Sequence, residues 1–269
     1  MSRPSRNILL TNDDGIEAPG LLALLAPLRR FGEVTVVAPV EEQSGVSHSI
    51  VYRRPVACEK HDLDGVTAYA IDAYPADCVK LAMDQLMPAK PDLVVSGVNK
   101  GANIGAHVFY SGTVAAALEA SMMGVTGLAV SLAVSPGGDM ITQETEENLF
   151  DFAHAADVFT EVLEKIDRLE LTGAPALNVN VPSHEVELRG IRWAVQYTGA
   201  MPDEYAHAGD DAGRRLYQMR MVDFGHEPED ESDRTLLGEG YVTVTPLRCD
   251  LTCRETLNRL RAAEKGDAS

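Results

Sequence analysis

The chain has 269 residues, of which 45% are hydrophobic, so it is long enough to bury a sizeable core. Its formal net charge of −18 disfavours general binding of DNA or RNA, because the average field of the protein repels a polyanion. It contains no apolar run of roughly 18 residues, no signal-peptide pattern and no CxxC pair, so we expect a cytoplasmic protein with reduced thiols and no membrane partner.

The first half of the chain alternates strand-like and helix-like segments. Short runs of apolar and β-branched residues predict strands, and helical spacing of leucine or alanine predicts helices. The predicted strands are 7–11, 33–38, 92–96 and 127–132, and the predicted helices are 19–30, 75–86 and 112–124. This alternation predicts an α/β fold with parallel strands and helices on both faces of the sheet.

The second half predicts a long amphipathic helix over 144–168 and further strands at 176–181 and 242–245. Between them, 199–239 is acidic and rich in turn-forming residues, with a strand expected around 216–223. We interpret this region as a protruding hairpin or arm used for packing or oligomer contact. Thr252 is expected to cap a C-terminal helix that runs to about residue 264. The chain is thus expected to be one domain, 1–269, with its core at about 6–198 and 240–269.

The loop Asn12-Asp13-Asp14-Gly15 directly follows the first predicted strand. Adjacent carboxylates on a tight turn repel each other, and the arrangement is stable when a cation or hydrogen-bond donors compensate the charge. Taken alone, the pair is equally compatible with an Asx-type loop that caps the following helix.

Two later loops favour a metal site. Ser44 follows the second predicted strand, and Asn99 lies in the glycine-rich loop after the strand at 92–96. Ligands of open α/β sheets bind at the carboxyl ends of the strands, where these loops meet. Together with Asp13 and Asp14, the two residues would form an all-oxygen set, which suits Mg²⁺ or Mn²⁺ better than zinc. The alternative for Asn99 is that it only stabilises its own turn.

Ser111, Gly112 and Thr113 stand at the start of the alanine-rich helix predicted at 112–124. A helix N-terminus presents free N–H groups and a partial positive charge to an anion, and hydroxyl side chains can add donors. Ser111 alone is equally well explained as an N-cap. Because a metal loop is expected on the same sheet edge, phosphate binding is the better interpretation. The helix N-terminus and the metal ion would supply the local positive charge that a phosphate needs in so acidic a protein.

In combination, these motifs resemble the survival protein SurE family of divalent-metal-dependent nucleotidases. The resemblance runs from about residue 8 to 251 and rests on TNDDGI (11–16), SGVSHSI (44–50), PADCV (75–79), PDLVVSGVNKGANIG (91–105), YSGTVAAALEA (110–120), LNVNVP (177–182) and GYVTVTPLRCDLT (240–252). It implies a Rossmann-like three-layer sandwich with a mostly parallel sheet. It also implies an extended C-terminal β-hairpin or arm used in dimer and tetramer contacts.

The resemblance assigns roles to particular residues. One divalent cation per subunit, Mg²⁺ or Mn²⁺, would be held by Asp13, Asp14, Ser44 and Asn99. The phosphate would be held by Asn103, Ser111, Gly112 and Thr113. The implied catalytic residues are Asp13, Asp14 and Asn103. The implied substrates are nucleoside 5′-monophosphates, with 3′-monophosphates as a second class, and the implied assembly is a homodimer or homotetramer.

The sequence departs from the family pattern in the loop ahead of Ser44, which reads Val40-Glu41-Glu42-Gln43 where an acidic-basic start is common, and at two further places. Ala106-His107 stands where an acidic pair is common, and His107 is either a proton donor to the leaving alcohol or a surface histidine. Ala73-Tyr74 replaces the usual Gly-Thr, a change expected to affect base or sugar preference. None of these departures alters a predicted metal ligand.

The predicted mechanism is direct displacement by water, which Asp13 or Asp14 orients or deprotonates. An aspartyl-phosphate route is disfavoured, because D-x-D spacing would place the amide of Asn12 at the nucleophile position. A triad hydrolase is disfavoured because the sequence has no G-x-S-x-G elbow. The alternative from a different class is a non-catalytic nucleotide-binding sensor or assembly protein that uses the acidic arm.

Overall fold

The computed structural model of the protein describes residues 6–134, 150–169, 171–199, 204–220 and 231–266. The strands in these ranges are β1 (Arg6–Thr11), β2 (Gly32–Pro39), β3 (Cys58–Leu63), β4 (Val66–Ile71), β5 (Leu93–Lys100), β6 (Thr126–Leu132), β7 (Ala176–Val181), β8 (Ile191–Trp193), β9 (Glu204–Asp211), β10 (Arg214–Arg220) and β11 (Val242–Leu247). The α-helices there are α1 (Pro19–Leu28), α2 (Pro75–Leu81), α3 (Gly112–Met122), α4 (Phe152–Asp167), α5 (Asp233–Gly238) and α6 (Arg254–Gly266). A π-helical turn, Ala82–Leu86, extends α2, and a 3₁₀ turn, Gly105–Phe109, precedes α3.

Nine strands form one sheet in the order β3-β4-β2-β1-β5-β6-β7-β11-β8. The six central strands from β4 to β7 are parallel, whereas β3 and β11 run antiparallel to their inner neighbours. The strand order reverses direction around β1, which is followed along the chain by β2 on one side and pairs with β5 on the other. The predicted mostly parallel sheet is therefore confirmed, and its carboxyl edge beside β1 is the expected ligand-binding position.

Helices cover both faces of the sheet. On one face α1 packs against α4, and the buried side chains there include Leu21 and Phe159. On the other face α2 packs against α3, where Val79 and Ala116 are buried. Successive residues of β1 contribute to the two clusters in turn, as expected for a central strand buried on both sides. The three-layer arrangement implied by the family resemblance is confirmed.

The start of α1 lies directly against the backbone of β5. A Cβ atom built on Gly20 would stand 2.1 Å from the carbonyl oxygen of Val98, so the contact requires glycine. Because α1 follows the acidic loop and Val98 precedes Asn99, this contact sets the separation between the two loops.

The hairpin β3–β4 was not among the predicted elements. Strand β3 reads CEKHDL and is largely exposed, so it has no apolar alternation by which to detect it. The dipeptide Asp64-Gly65 is the sequence signal that could have predicted this hairpin. Both residues have positive φ, 51° and 77°, as an Asp-Gly hairpin turn requires.

Two helix starts differ from the prediction. Helix α4 begins at Phe152, because the Asp151 side chain accepts a hydrogen bond from the His154 N–H and caps it there. The predicted residues 144–149 lie outside the described ranges. Helix α6 begins at Arg254, so Thr252 is not its cap, and the Thr252 N–H instead donates to Asp250 at 3.0 Å.

The predicted arm contains an antiparallel pair, β9–β10, that is separate from the main sheet. The expected strand at 216–223 corresponds to β10, Arg214–Arg220, and 221–230 lie outside the described ranges. Helix α5 packs against β11 and buries Leu236 and Leu237, so the described part that projects is 204–220. None of the helices described in the structure is both long and apolar enough to cross a membrane.

Candidate metal and phosphate site

Four predicted site segments meet at the carboxyl edge of β1, β2 and β5. The Asp13-Asp14 loop follows β1, the loop containing Ser44 follows β2, Asn99 is at the end of β5, and α3 starts beside them. The Gln43 N–H donates to the Asp13 carbonyl oxygen at 2.7 Å, which ties the first two loops together.

Asp13 is held by the first turn of α3. Its carboxylate accepts hydrogen bonds from the Thr113 hydroxyl at 2.5 Å and from the Thr113 N–H at 3.1 Å. A Cβ atom on Gly112 would stand 2.9 Å from the Asp13 Cβ, so this close approach requires glycine. Burial raises the pKa of Asp13, although the two hydrogen bonds from Thr113 oppose the rise.

Asp14, the next residue of the acidic loop, lies near the end of β5, where the charge of Lys100 acts on it. Burial, and after it the charge of Asp13 with a smaller contribution from Glu42, raises the pKa of Asp14 to about 7, and the Lys100 charge opposes the rise. Closely spaced acids of this kind gain stability when a cation neutralises them. No side chain caps α1, so Asp13 and Asp14 do not have the capping role that the sequence leaves open, and the metal site stays a prediction.

Ser44 and Asn99 both lie near the acidic loop, and their side chains donate hydrogen bonds to different groups. The Ser44 hydroxyl is exposed and donates to the Glu42 carboxylate at 2.6 Å. The Asn99 side-chain nitrogen donates to the carbonyls of Lys100 and Gly101 at 3.1 and 2.8 Å. Asn99 thus stabilises its own turn, as the alternative interpretation expects. The ligand roles of Ser44 and Asn99 remain predictions.

Asn103 is buried in a polar network that fixes the glycine-rich loop. Its side-chain nitrogen donates to the Ser131 hydroxyl at 2.9 Å, and its N–H donates to the Asn180 side chain at 2.8 Å. The side-chain amides of Asn178 and Asn180 donate to its carbonyl oxygen at 2.6 and 3.1 Å. One hydrogen of the Asn103 side-chain amide is used by Ser131, and the second can serve a ligand.

At the N-terminus of α3, Ser111 and Thr113 have distinct partners. The Ser111 hydroxyl accepts a hydrogen bond from the Val114 N–H at 3.1 Å, so Ser111 is the N-cap of α3. Thr113 uses both its hydroxyl and its N–H on Asp13. The predicted phosphate-binding roles of Ser111, Gly112 and Thr113 remain predictions, and the structure adds that Thr113 orients Asp13.

A second polar cluster borders the site and was missed by the sequence reasoning. The buried Glu119 carboxylate contacts His48 at 2.8 Å and Lys80 at 2.7 Å. The hydrogen bond with His48 is the largest cause that lowers the pKa of Glu119, and the hydrogen bond and charge of Lys80 lower it as well. Together these effects outweigh burial, which raises the pKa. The cluster ties the loop after Ser44 to α2 and α3. The sequence feature that could have predicted this cluster is Glu119, a single carboxylate within an alanine-rich helix.

The donor set fits a hard divalent cation. Asp13 and Asp14 offer carboxylates, and Ser44 and Asn99 offer neutral oxygens. The buried Oδ1 of Asn12, in the same loop, has no hydrogen-bond partner among the described residues. Those residues hold no group of three or more His, Cys, Asp or Glu side chains that could bind a metal, as expected if only two ligands are acidic.

The fold and these contacts define an open α/β protein with an acidic, oxygen-lined site at the carboxyl edge of its parallel strands. The chain belongs to the survival protein SurE family, whose pattern matches residues 8–202. The resemblance stated from the motifs is thus confirmed.

Relatives match nearly the whole chain. A protein of Rhodopirellula baltica named 5′-nucleotidase SurE is 41% identical over 257 residues, which cover 94% of this chain and 97% of that protein. A protein of the same name from Thermosipho melanesiensis is 39% identical over 256 residues, 94% of this chain and 96% of its own length. The crystal structure of the SurE protein from Aquifex aeolicus superimposes with a TM-score of 0.79 at 33% identity, covering 96% of this chain and 99% of that one.

Proposed function

We propose that this chain is a 5′-nucleotidase, a divalent-metal-dependent phosphomonoesterase that converts nucleoside 5′-monophosphates to nucleoside and phosphate. The observation that carries the proposal is the contact between Asp13 and Thr113. It places the Asp13 carboxylate, with Asp14 next to it in the chain, against the N-terminus of α3, where a cation and an anion can bind side by side. Relatives named 5′-nucleotidase that match nearly the whole chain support the same function.

One cation per subunit, Mg²⁺ or Mn²⁺, would be held by Asp13, Asp14, Ser44 and Asn99. When bound, the ion supplies Lewis-acid activation of water and of a phosphoryl oxygen. Asp13 or Asp14 would orient or deprotonate the attacking water. Thr113 holds Asp13 in one orientation, so the relative position of the two carboxylates is set before substrate binds.

The phosphate is assigned to the N-terminus of α3 and to Asn103. Charge that develops on the phosphoryl oxygens is stabilised by prepositioned N–H groups and by the helix dipole. Ser111 starts the helix at this point, and Gly112 allows Asp13 to approach its first turn closely. The buried network around Asn103 keeps its side-chain amide from reorienting during the reaction.

The remaining parts of the proposal concern partners and location. Nucleoside 3′-monophosphates are proposed as a second substrate class, and the net charge of −18 argues against general binding of DNA or RNA. A homodimer or homotetramer formed through the arm is supported by exposed apolar side chains on β9 and β10, such as Tyr205 and Tyr217. A cytoplasmic location is supported by four cysteines with free thiols.

Phosphate release from AMP, measured with Mg²⁺ or Mn²⁺ and again after EDTA, tests the proposal. We expect turnover only with a cation, and loss of turnover in Asp14→Asn with an unchanged circular dichroism spectrum. Tight AMP binding without turnover under several divalent cations would instead identify a nucleotide sensor. Running the same assay with 3′-AMP decides the second substrate class.

A further inference from the structure

The glycine-rich loop that carries Asn103 is gripped by two side chains from a distant part of the sequence. The Asp233 carboxylate accepts a hydrogen bond from the Gly105 N–H at 3.1 Å, across 128 positions. The Gln196 side-chain nitrogen donates to the Gly105 carbonyl oxygen at 2.9 Å, across 91 positions. Both backbone polar groups of Gly105, two residues after Asn103, are therefore bonded by side chains. We call Gln196 and Asp233 the arm-base clamp.

The clamp stands where the two ends of the arm region meet. The Val195 N–H donates to the Glu231 carbonyl at 3.0 Å, and the Asp233 N–H donates to the Val195 carbonyl at 2.8 Å. The Asp233 carboxylate also accepts a hydrogen bond from the Tyr197 N–H at 2.9 Å. Asp233 thus joins three segments: the loop at 101–105, the chain entering the arm and the chain leaving it.

Burial makes this arrangement costly unless the loop is in place. Asp233 has 0% exposure, and a buried carboxylate without hydrogen bonds is strongly destabilising. The N–H groups of Gly105, Tyr197 and Arg234 all donate to it. If the loop moved away, Asp233 would lose one of these donors. The carboxylate therefore selects the loop conformation in which Gly105 is bonded.

We propose that Asp233 and Gln196 are positioning residues for the phosphate site. They fix the loop at 101–105 and thereby hold the Asn103 side chain toward the phosphoryl group. This inference rests on the proposed function, in which Asn103 contacts the phosphate. Asp13, Asp14 and Ser44 lie on other loops, and Asn99 bonds Gly101, at the opposite end of the loop from Gly105. Loosening the clamp therefore weakens phosphate binding and changes cation affinity little.

The test uses Gln196→Met, which keeps side-chain length and removes the amide, and Asp233→Asn, which leaves one acceptor for three N–H groups. With AMP as substrate we expect kcat/KM to fall about tenfold in Gln196→Met, the effect of one hydrogen bond, and further in Asp233→Asn. The Kd for Mn²⁺ should stay within about twofold of the parent. Asp211→Asn is the matched control, because Asp211 is an exposed carboxylate at the tip of the hairpin.

Hydrogen exchange supplies a readout that does not depend on turnover. Exchange of the peptide 101–109 should be faster in both variants, with exchange of 6–11 in β1 unchanged. If Asp233→Asn does not fold, Gln196→Met decides alone. Equal kcat/KM in parent and Gln196→Met, or a parallel loss of Mn²⁺ affinity, overturns the inference. If the parent chain does not hydrolyse AMP, the proposed function fails, and a tenfold loss of AMP affinity in Gln196→Met then supports the clamp while unchanged affinity overturns it.

Discussion

The loops at the carboxyl edge of the sheet and the β9–β10 hairpin both reach the protein surface, yet they are held by different contacts. In the site, Thr113 binds Asp13 across 100 positions of sequence. In the hairpin, the strand pairs run from Arg214 with Asp211 to Arg220 with Glu204, so every pair is local. The site thus depends on contacts between distant segments, whereas the strand pairing of the hairpin uses contacts close in sequence.

Burial separates the two regions in the same way. Asp13 is 3% exposed, whereas Tyr205 on β9 is 71% exposed. Charged groups in the site are therefore strongly perturbed, and several apolar side chains on the hairpin are largely exposed. The comparison teaches that changes in the site should alter chemistry and stability together. Changes in the hairpin should alter association alone.

The largest expected effect is at Asp14. Asp14→Asn removes a cation ligand and should lower AMP turnover about 10³-fold or more. Because ionised Asp14 is disfavoured in the folded metal-free protein, the neutral amide should also raise its melting temperature by about 2–4 °C or more at pH 8. Turnover assays and calorimetry in EDTA check both effects. Asp211→Asn on the hairpin should change neither, and a fall in melting temperature for Asp14→Asn would break the comparison.

Thr113→Val should have the next largest effect. It removes the hydroxyl that donates to Asp13 and keeps the backbone N–H, so the carboxylate loses part of its orientation. We expect the affinity for Mn²⁺ to fall about 10- to 100-fold, as for other supports of metal ligands. Calorimetric titration measures it. Thr160→Val in α4 is the matched control, because Thr160 is also buried and its hydroxyl donates to the Ala156 carbonyl within the same helix. Equal effects of the two substitutions would contradict the role of Thr113.

The pH dependence of cation binding sharpens the contrast further. The pKa of Asp14 is raised from 3.8 to about 7, so the folded metal-free protein retains this proton up to neutral pH. As pH rises from about 4 to about 7, the metal-free fold becomes less stable, because folding disfavours the ionised form of Asp14. Below pH 7 the proton on Asp14 competes with the cation. Mn²⁺ affinity should therefore fall about tenfold per pH unit between pH 7 and 5. A flat profile in the parent chain would contradict this assignment, and Asp14→Asn should lose this component.

The smallest effect on chemistry is expected for the hairpin. Tyr205→Ser with Tyr217→Ser removes two exposed aromatic side chains on β9 and β10. If the hairpin pairs with other subunits, the molar mass measured by light scattering should fall while kcat/KM per chain stays within about twofold. Leu169→Ser, at an exposed apolar residue near the end of α4, is the control. An unchanged mass would remove the proposed role of the arm.

Much of this contrast could be read from the sequence, but not all of it. Period and composition located the central strands, and the Asp13-Asp14 pair marked the site, because these features are local. The bond between Thr113 and Asp13, and the grip of Asp233 on Gly105, depend on tertiary contacts that no local pattern encodes. Sequence reasoning accordingly gave Thr113 to the phosphate and placed Asp233 in the arm without a function.

Other differences have simpler physical causes. Strand β3 escaped detection because its exposed polar side chains carry no burial pattern. The predicted cap at Thr252 was wrong by one residue. Cys253 is the residue immediately before α6, and its thiol lies 3.0 Å from the Thr256 hydroxyl. Caps are chosen by short-range geometry that several neighbouring residues can satisfy.

The contact between Gly20 and the Val98 carbonyl bears on how metal preference could change. It is a spacer made of backbone alone, with no side chain that could adopt another rotamer. The gap between the acidic loop and Asn99 is therefore nearly rigid, and discrimination between ions of different radius depends on such rigidity. Laboratory evolution toward a larger ion would have to exchange the ligands themselves. A larger distance between the acidic loop and Asn99 would require breaking the backbone contact between α1 and β5.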